Sequence, residues 1–110
     1  MDTPFEIHPK DALPALHNPA YVWVDVREEH EWDYGHLPGI QHLPMSSLTG
    51  EEFSRFSKDQ KIIIVCRTGS SSRSVTHALR EMGFIHAQNL AGGMIGMNTV
   101  LEKHIPVLMH

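Results

Sequence analysis

Lys61-Ile62-Ile63-Ile64-Val65-Cys66-Arg67-Thr68-Gly69-Ser70-Ser71-Ser72-Arg73 decides the fold class. A charged start and a short β-branched run, apolar at successive positions, predict a strand over 61–66 covered on both faces, as in a parallel sheet. The run passes through a Gly/Ser-rich turn into a helical pattern. Val75, Ala78, Leu79 and Met82 recur at i, i+3, i+4 and i+7, which predicts an amphipathic helix from about Ser70 to Met82. Gly83 then stands where a left-handed C-cap is wanted.

Outward from this unit the pattern repeats. Tyr21-Val22-Trp23-Val24-Asp25-Val26 reads as a second strand, and 5–7, 40–43 and 87–90 as weaker ones. Shorter helices are expected over Pro9–Leu13, Glu28–Tyr34 and Glu51–Phe56. Another should begin after Gly92-Gly93, from Met94 to about Lys103, and stop before Pro106. Strands alternating with helices predict crossover units and a mostly parallel sheet with helices on both faces, in one domain over 1–110.

Composition agrees. The chain has 110 residues, 41% of them apolar and 20% charged, with 8 Gly and 7 Pro, which excludes collagenous and disordered classes. A net charge of −4 argues against a general nucleic-acid binder. No apolar run is long enough to cross a membrane. With one cysteine, no disulfide can form within the chain. A free thiol with no secretory stretch over Met1–Lys10 is expected in a reducing cytoplasm. The nine histidines match no zinc spacing, so neither metal nor cofactor is expected.

In open parallel sheets, ligands gather at the carboxyl ends of strands. Cys66 stands there. Gly69 and the serines Ser70, Ser71 and Ser72 allow successive backbone N–H groups to turn inward as an anion-binding nest. The helix start and the guanidinium groups of Arg67 and Arg73 add positive potential. A thiol at such a focus should ionise more readily than a free one. The plainer reading, a cysteine that merely packs, would put it inside the apolar run and not at its end. Arg67, beside the nucleophile, is the better candidate for holding an anionic substrate. Arg73 is balanced between substrate and surface roles.

Several motifs, taken in order along nearly the whole chain, resemble the single-domain rhodaneses. They are Val24-Asp25-Val26-Arg27 with Glu31-Trp32, Gly35-His36-Leu37-Pro38-Gly39-Ile40, Cys66-Arg67-Thr68-Gly69 with Ser72, Gly83-Phe84, and Asn89-Leu90-Ala91-Gly92-Gly93. The resemblance implies a five-stranded parallel sheet and a loop, Cys66 to Arg73, that cradles a persulfide. It further implies sulfur transfer from thiosulfate or another persulfide donor, through Cys66, to cyanide or a thiol. A protein could serve as donor or acceptor. Two positions depart from common family usage: Ser71 stands where many members carry arginine, and Met97 where tryptophan is usual.

By analogy Asp25 lies near the loop after Cys66, where its carboxylate would accept loop N–H bonds. Arg27 and Glu31, four apart at a helix start, can pair. The group Asp25, Arg27 and Glu31 therefore reads as scaffold, since a carboxylate close to the sulfur would oppose a thiolate. His36, between Gly35 and the Pro38-Gly39 turn, reads as a structural hydrogen bond. Two rivals remain open. A cysteine-dependent phosphatase or arsenate reductase would need an arginine six residues after the cysteine, where Ser72 stands. An interaction module would keep the fold alone, and a persulfide carrier without thiosulfate activity would receive its sulfur from another protein.

Overall fold

The computed structural model describes residues 2–109. Five parallel strands form one sheet: β1 (Glu6–Ile7), β2 (Tyr21–Asp25), β3 (Gln41–His42), β4 (Lys61–Val65) and β5 (Ala87–Leu90), in the order β1-β5-β4-β2-β3. The expected sheet is present, with its two strongest strands paired at the centre. Val24 lies opposite Ile64 and Asp25 opposite Val65, while Ile64 on its other side faces Asn89. Asp25, Cys66 and Asn89 therefore meet at one carboxyl edge.

Alternation along β4 builds two cores. Ile62, Ile64 and Cys66 face one side, with Val24, Val26, Phe53, Val75, Leu79 and Phe84. Ile63 and Val65 face the other, with Trp23, Leu37, Leu90, Met94 and Met97. Helix α3 (Ser71–Glu81) covers the first face, buried along Ser72, Val75, Thr76 and Leu79. The second is covered by α1 (Pro9–Ala12) and α4 (Gly93–Met97), while α2 (Glu29–Tyr34) follows β2. Met97, with no exposed surface, fills the second core as a flexible apolar chain can.

Two expected helices are cut well short, and α1 gives way early to a tighter turn. α4 ends at Met97 because the Asn98 side chain turns out of the helix and takes both backbone groups of Ile105. Its Nδ2 donates to the carbonyl and its Oδ1 accepts the N–H, each at 2.8 Å. Residues 99–104 are thereby folded into a return loop. The stretch at 51–56 holds a single 3₁₀ turn, Glu51–Phe53. There the Ser54 hydroxyl caps the carbonyl of Glu51 at 2.7 Å, a local bond that competes with helix continuation. α1 stops at Ala12, and the chain tightens into a 3₁₀ turn over Leu13–His17 around Pro14.

Candidate active site

Cys66 follows the last residue of β4, and its residue is 3% exposed. Three donors converge on Sγ: the Gly69 N–H at 3.1 Å, the Ser72 N–H at 3.4 Å and the Ser72 hydroxyl at 3.1 Å. The Ser72 N–H belongs to the first turn of α3, where N–H groups lack partners within the helix. Ser70, the residue preceding α3, makes no side-chain cap, and the sulfur occupies that role. Burial pushes the Cys66 thiol up. The hydrogen bonds from the Ser72 hydroxyl, the Ser72 N–H and the Gly69 N–H, with the nearby Ser71 hydroxyl acting in the same direction, outweigh it and hold the thiol below its ordinary value.

The loop keeps its N–H groups inward because its carbonyls are taken from behind. The first N–H groups of α4 do this: Met94 N–H donates to Cys66 at 2.9 Å, and Ile95 N–H to Arg67 at 3.1 Å. So close an approach requires glycine at Gly93, which is left-handed with φ +55°. A Cβ there would lie 2.4 Å from the Cys66 carbonyl oxygen and 2.6 Å from that of Arg67. Gly69 (φ +89°) meets the same constraint from the loop side, where a Cβ would lie 2.8 Å from the Gly92 nitrogen. The double glycine thus acts as the back wall of the loop as well as the start of a helix.

In front of Cys66 opens a cavity of about 320 Å³, lined also by Val26, Arg27, Glu28, His30, Glu31, Met45, Arg67, Thr68 and Ser71. Its charge is mixed. Glu28 accepts the Ser46 hydroxyl, which together with the Ser46 N–H and nearby His30 and His42 holds its carboxyl below the usual range. Arg67 stands at the edge, its Nη1 donating to the Met109 carbonyl at 2.6 Å. Thr68 and Ser71 line the mouth, and Ser70 is exposed beside it.

Arg73, grouped with the loop by its position, is turned elsewhere. Its guanidinium lies 3.5 Å from Glu6 and over the Phe5 ring, and it does not line the cavity. A helical residue one place after Ser72 points off the face that Ser72 presents, which is why proximity in sequence misleads here.

The expected scaffold is wired differently from the expectation. Asp25 and Arg27 form a buried bidentate pair, with Nε and Nη2 of Arg27 donating to the carboxylate at 2.8–3.0 Å. Asp25 also accepts the Arg27 N–H, so it shapes its own turn and not the loop after Cys66. Glu31 does not pair with Arg27. It accepts the Glu28 N–H at 3.3 Å in a reciprocal capping box that starts α2. The competition is won by Asp25, which is already buried and two residues away. Arg27 Nη2 donates further to the Gly35 carbonyl. His36 donates from Nδ1 to the Trp32 carbonyl and stacks on its ring at 3.6 Å, with His42 on the other side at 4.6 Å.

Asn89, singled out above only as part of a resemblance, is a site residue that position alone could have flagged. It is a polar residue at the end of a strand neighbouring the nucleophile's. It has no exposed surface. Its Nδ2 donates to the Gly69 carbonyl at 3.0 Å and to Glu6 at 2.8 Å, and its Oδ1 accepts the Ser72 hydroxyl. Among the described residues no cluster of His, Cys, Asp and Glu could hold a metal ion, and no helix is long and apolar enough to cross a membrane.

Comparison with known proteins follows the same lines. The family model described as Rhodanese-like domain matches residues 8–98. The chain is similar to the thiosulfate sulfurtransferase GlpE of Stutzerimonas stutzeri, 33% identical over 91 residues and covering 83% of each. It is also similar to the probable adenylyltransferase/sulfurtransferase MoeZ of Mycobacterium tuberculosis, 34% identical over 73 residues. That match covers 66% of this chain and 19% of MoeZ, so the chain corresponds to about a fifth of that relative. Among solved structures, a rhodanese-related protein from Thermoplasma volcanium superposes with a TM-score of 0.74 at 25% identity, over 96% of this chain and 98% of that one.

Proposed function

The chain belongs to the rhodanese-like domain family, and from that premise we propose that it is a sulfurtransferase working through a Cys66 persulfide, with thiosulfate as a donor. The observation that carries the reading is the convergence of the Gly69 N–H, the Ser72 N–H and the Ser72 hydroxyl on one sulfur. Donors aimed at one point stabilise negative charge there without reorganising during reaction.

The chemistry follows from thiol exchange. The Cys66 thiolate attacks the outer sulfur of thiosulfate. The new S–S bond forms on Sγ as the old one breaks, and sulfite leaves with the electron pair. The persulfide so formed carries its charge on the outer sulfur, in the cavity. A thiolate acceptor or cyanide then attacks that sulfur, and the electron pair of the enzyme S–S bond returns to Sγ. Arg67, at the cavity edge, is the guanidinium available to an anionic donor. A protein persulfide donor or a protein thiol acceptor uses the same two steps, and the reducing cytoplasm is the compartment that suits a free thiolate.

Phosphoryl transfer fits the site less well. The place of a phosphate-binding arginine, six residues after the nucleophile, holds Ser72, and Arg73 is engaged with Glu6. Intact-mass measurement after thiosulfate treatment tests the proposal. One sulfur atom should be gained by the native chain and none by Cys66→Ser. A native chain that gains nothing from thiosulfate or from a persulfide donor overturns it.

A further inference from the structure

The Ser72 hydroxyl has two claimants. It lies 3.1 Å from Cys66 Sγ and is hydrogen-bonded to Asn89 Oδ1. The orientation of the Asn89 amide follows from its other partners. Glu6 Oε2 and the Gly69 carbonyl are both acceptors, so Nδ2 must face them and Oδ1 must face Ser72. Oδ1 can only accept, and a serine hydroxyl has one proton.

Resting on the reading of Cys66 as the nucleophile, we propose that Asn89 is a positioning residue for it. Asn89 Oδ1 competes with Sγ for the one proton of Ser72 and draws it away whenever that sulfur carries no charge. With a neutral thiol the chain is complete: S–H donates to Ser72 Oγ, and Ser72 donates to Asn89. When Cys66 ionises, the hydroxyl must turn to the sulfur, and Asn89, which has no exposed surface, is left with an unpartnered oxygen. In the persulfide the charge sits on the outer sulfur and Sγ is neutral again, so the proton swings back to Asn89. The thiolate is thus the one state in which Asn89 goes short. Transfer of charge from Sγ to the incoming sulfur restores its bond. Asn89 makes the thiolate more reactive than the three donors alone would leave it.

Charged groups bear on this network from several sides. Glu6 on β1 and Arg73 on α3 lie behind Asn89, and Arg27 (paired with Asp25 at the end of β2), Glu28, His30 and Glu31 of the α2 region, with Arg67, line the cavity in front of Cys66. None of them touches Ser72 Oγ, whose described side-chain partners are Sγ and Oδ1.

Ultraviolet titration of the Cys66 thiolate tests the proposal without any sulfur donor, so it stands or falls separately from sulfur transfer. Asn89→Leu should lower the midpoint by about half to one pH unit, since Ser72 no longer gives up a bond in turning. Ser72→Ala should raise the midpoint and cancel the effect of Asn89→Leu in the double variant. If Asn89 only clamps the loop through Gly69, Asn89→Leu will raise the midpoint instead, with or without Ser72, and the proposal is overturned. A second measurement needs no substitution at Asn89. In the native chain its side-chain amide resonances should move with the Cys66 midpoint, and in Ser72→Ala they should stay still. An amide that does not respond in the native chain overturns the proposal as well.

Discussion

At Cys66 the contest is between burial, which favours the neutral thiol, and directed hydrogen bonds, which favour the anion. The bonds prevail, and the thiol is held below its ordinary value. The pH dependence follows in sign. The rate of sulfur loading should rise with pH as the thiolate forms and level off above a midpoint lower than that of a free cysteine. In Ser72→Ala the rise should shift to higher pH, and stopped-flow loading across pH checks it. At saturating pH, where the thiolate is fully formed in both chains, the same substitution should leave loading as fast or somewhat faster, because a donor that stabilised the attacking thiolate is gone and a thiolate of higher midpoint is the stronger nucleophile. Arg67→Ala should raise the KM for thiosulfate more than it lowers kcat, since its position at the cavity edge suits binding more than bond breaking. Steady-state kinetics showing neither change would remove Arg67 from the substrate contacts.

At the scale of elements, two close approaches hold the site together. The first is the N-terminus of α4 against the back of the Cys66 loop. Gly93→Ala forces a side chain into left-handed backbone and against two carbonyl oxygens. The backbone conformation alone should cost about 1–2 kcal/mol. Thermal unfolding should show at least that loss, and the thiolate midpoint should rise as the loop donors shift. The second is the pair Asp25–Arg27, which ties the end of β2 to the Gly35 carbonyl beyond α2. Asp25→Ala leaves a guanidinium buried without its partner and should cost about 3–5 kcal/mol, read by urea denaturation. The substitution acts on folding and not on chemistry, so any folded fraction should retain its loading rate per thiolate.

Across the whole molecule, the return loop from Asn98 to Ile105 sends the C-terminal segment past Gly35, where a Cβ would lie 2.4 Å from the Pro106 carbonyl, to Arg67. The Arg67–Met109 bond holds the guanidinium to the chain itself. A chain ending at Val107 lacks that carbonyl, and releasing a bond worth roughly 0.5–1.5 kcal/mol should lower the KM for thiosulfate about two- to tenfold. Kinetics on the shortened chain, set beside Arg67→Ala, check it. That segment lies outside residues 8–98, where the family model ends, and nothing in its composition ties it to the site.

The alternation of Ile62 to Cys66, the helical spacing after Ser70 and the glycines at the turns are local patterns. Steric preference and burial act on them residue by residue, so the parallel sheet, its central strands and the place of the nucleophile could be read from the chain alone. Partner choice is not local. Arg27 takes Asp25 and not Glu31, Arg73 turns to Glu6, Asn98 cuts α4 short, and Asn89 reaches Ser72 from a neighbouring strand. Each outcome is a competition among several groups that the sequence alone leaves available, and only folding brings the competitors within hydrogen-bonding distance to decide it.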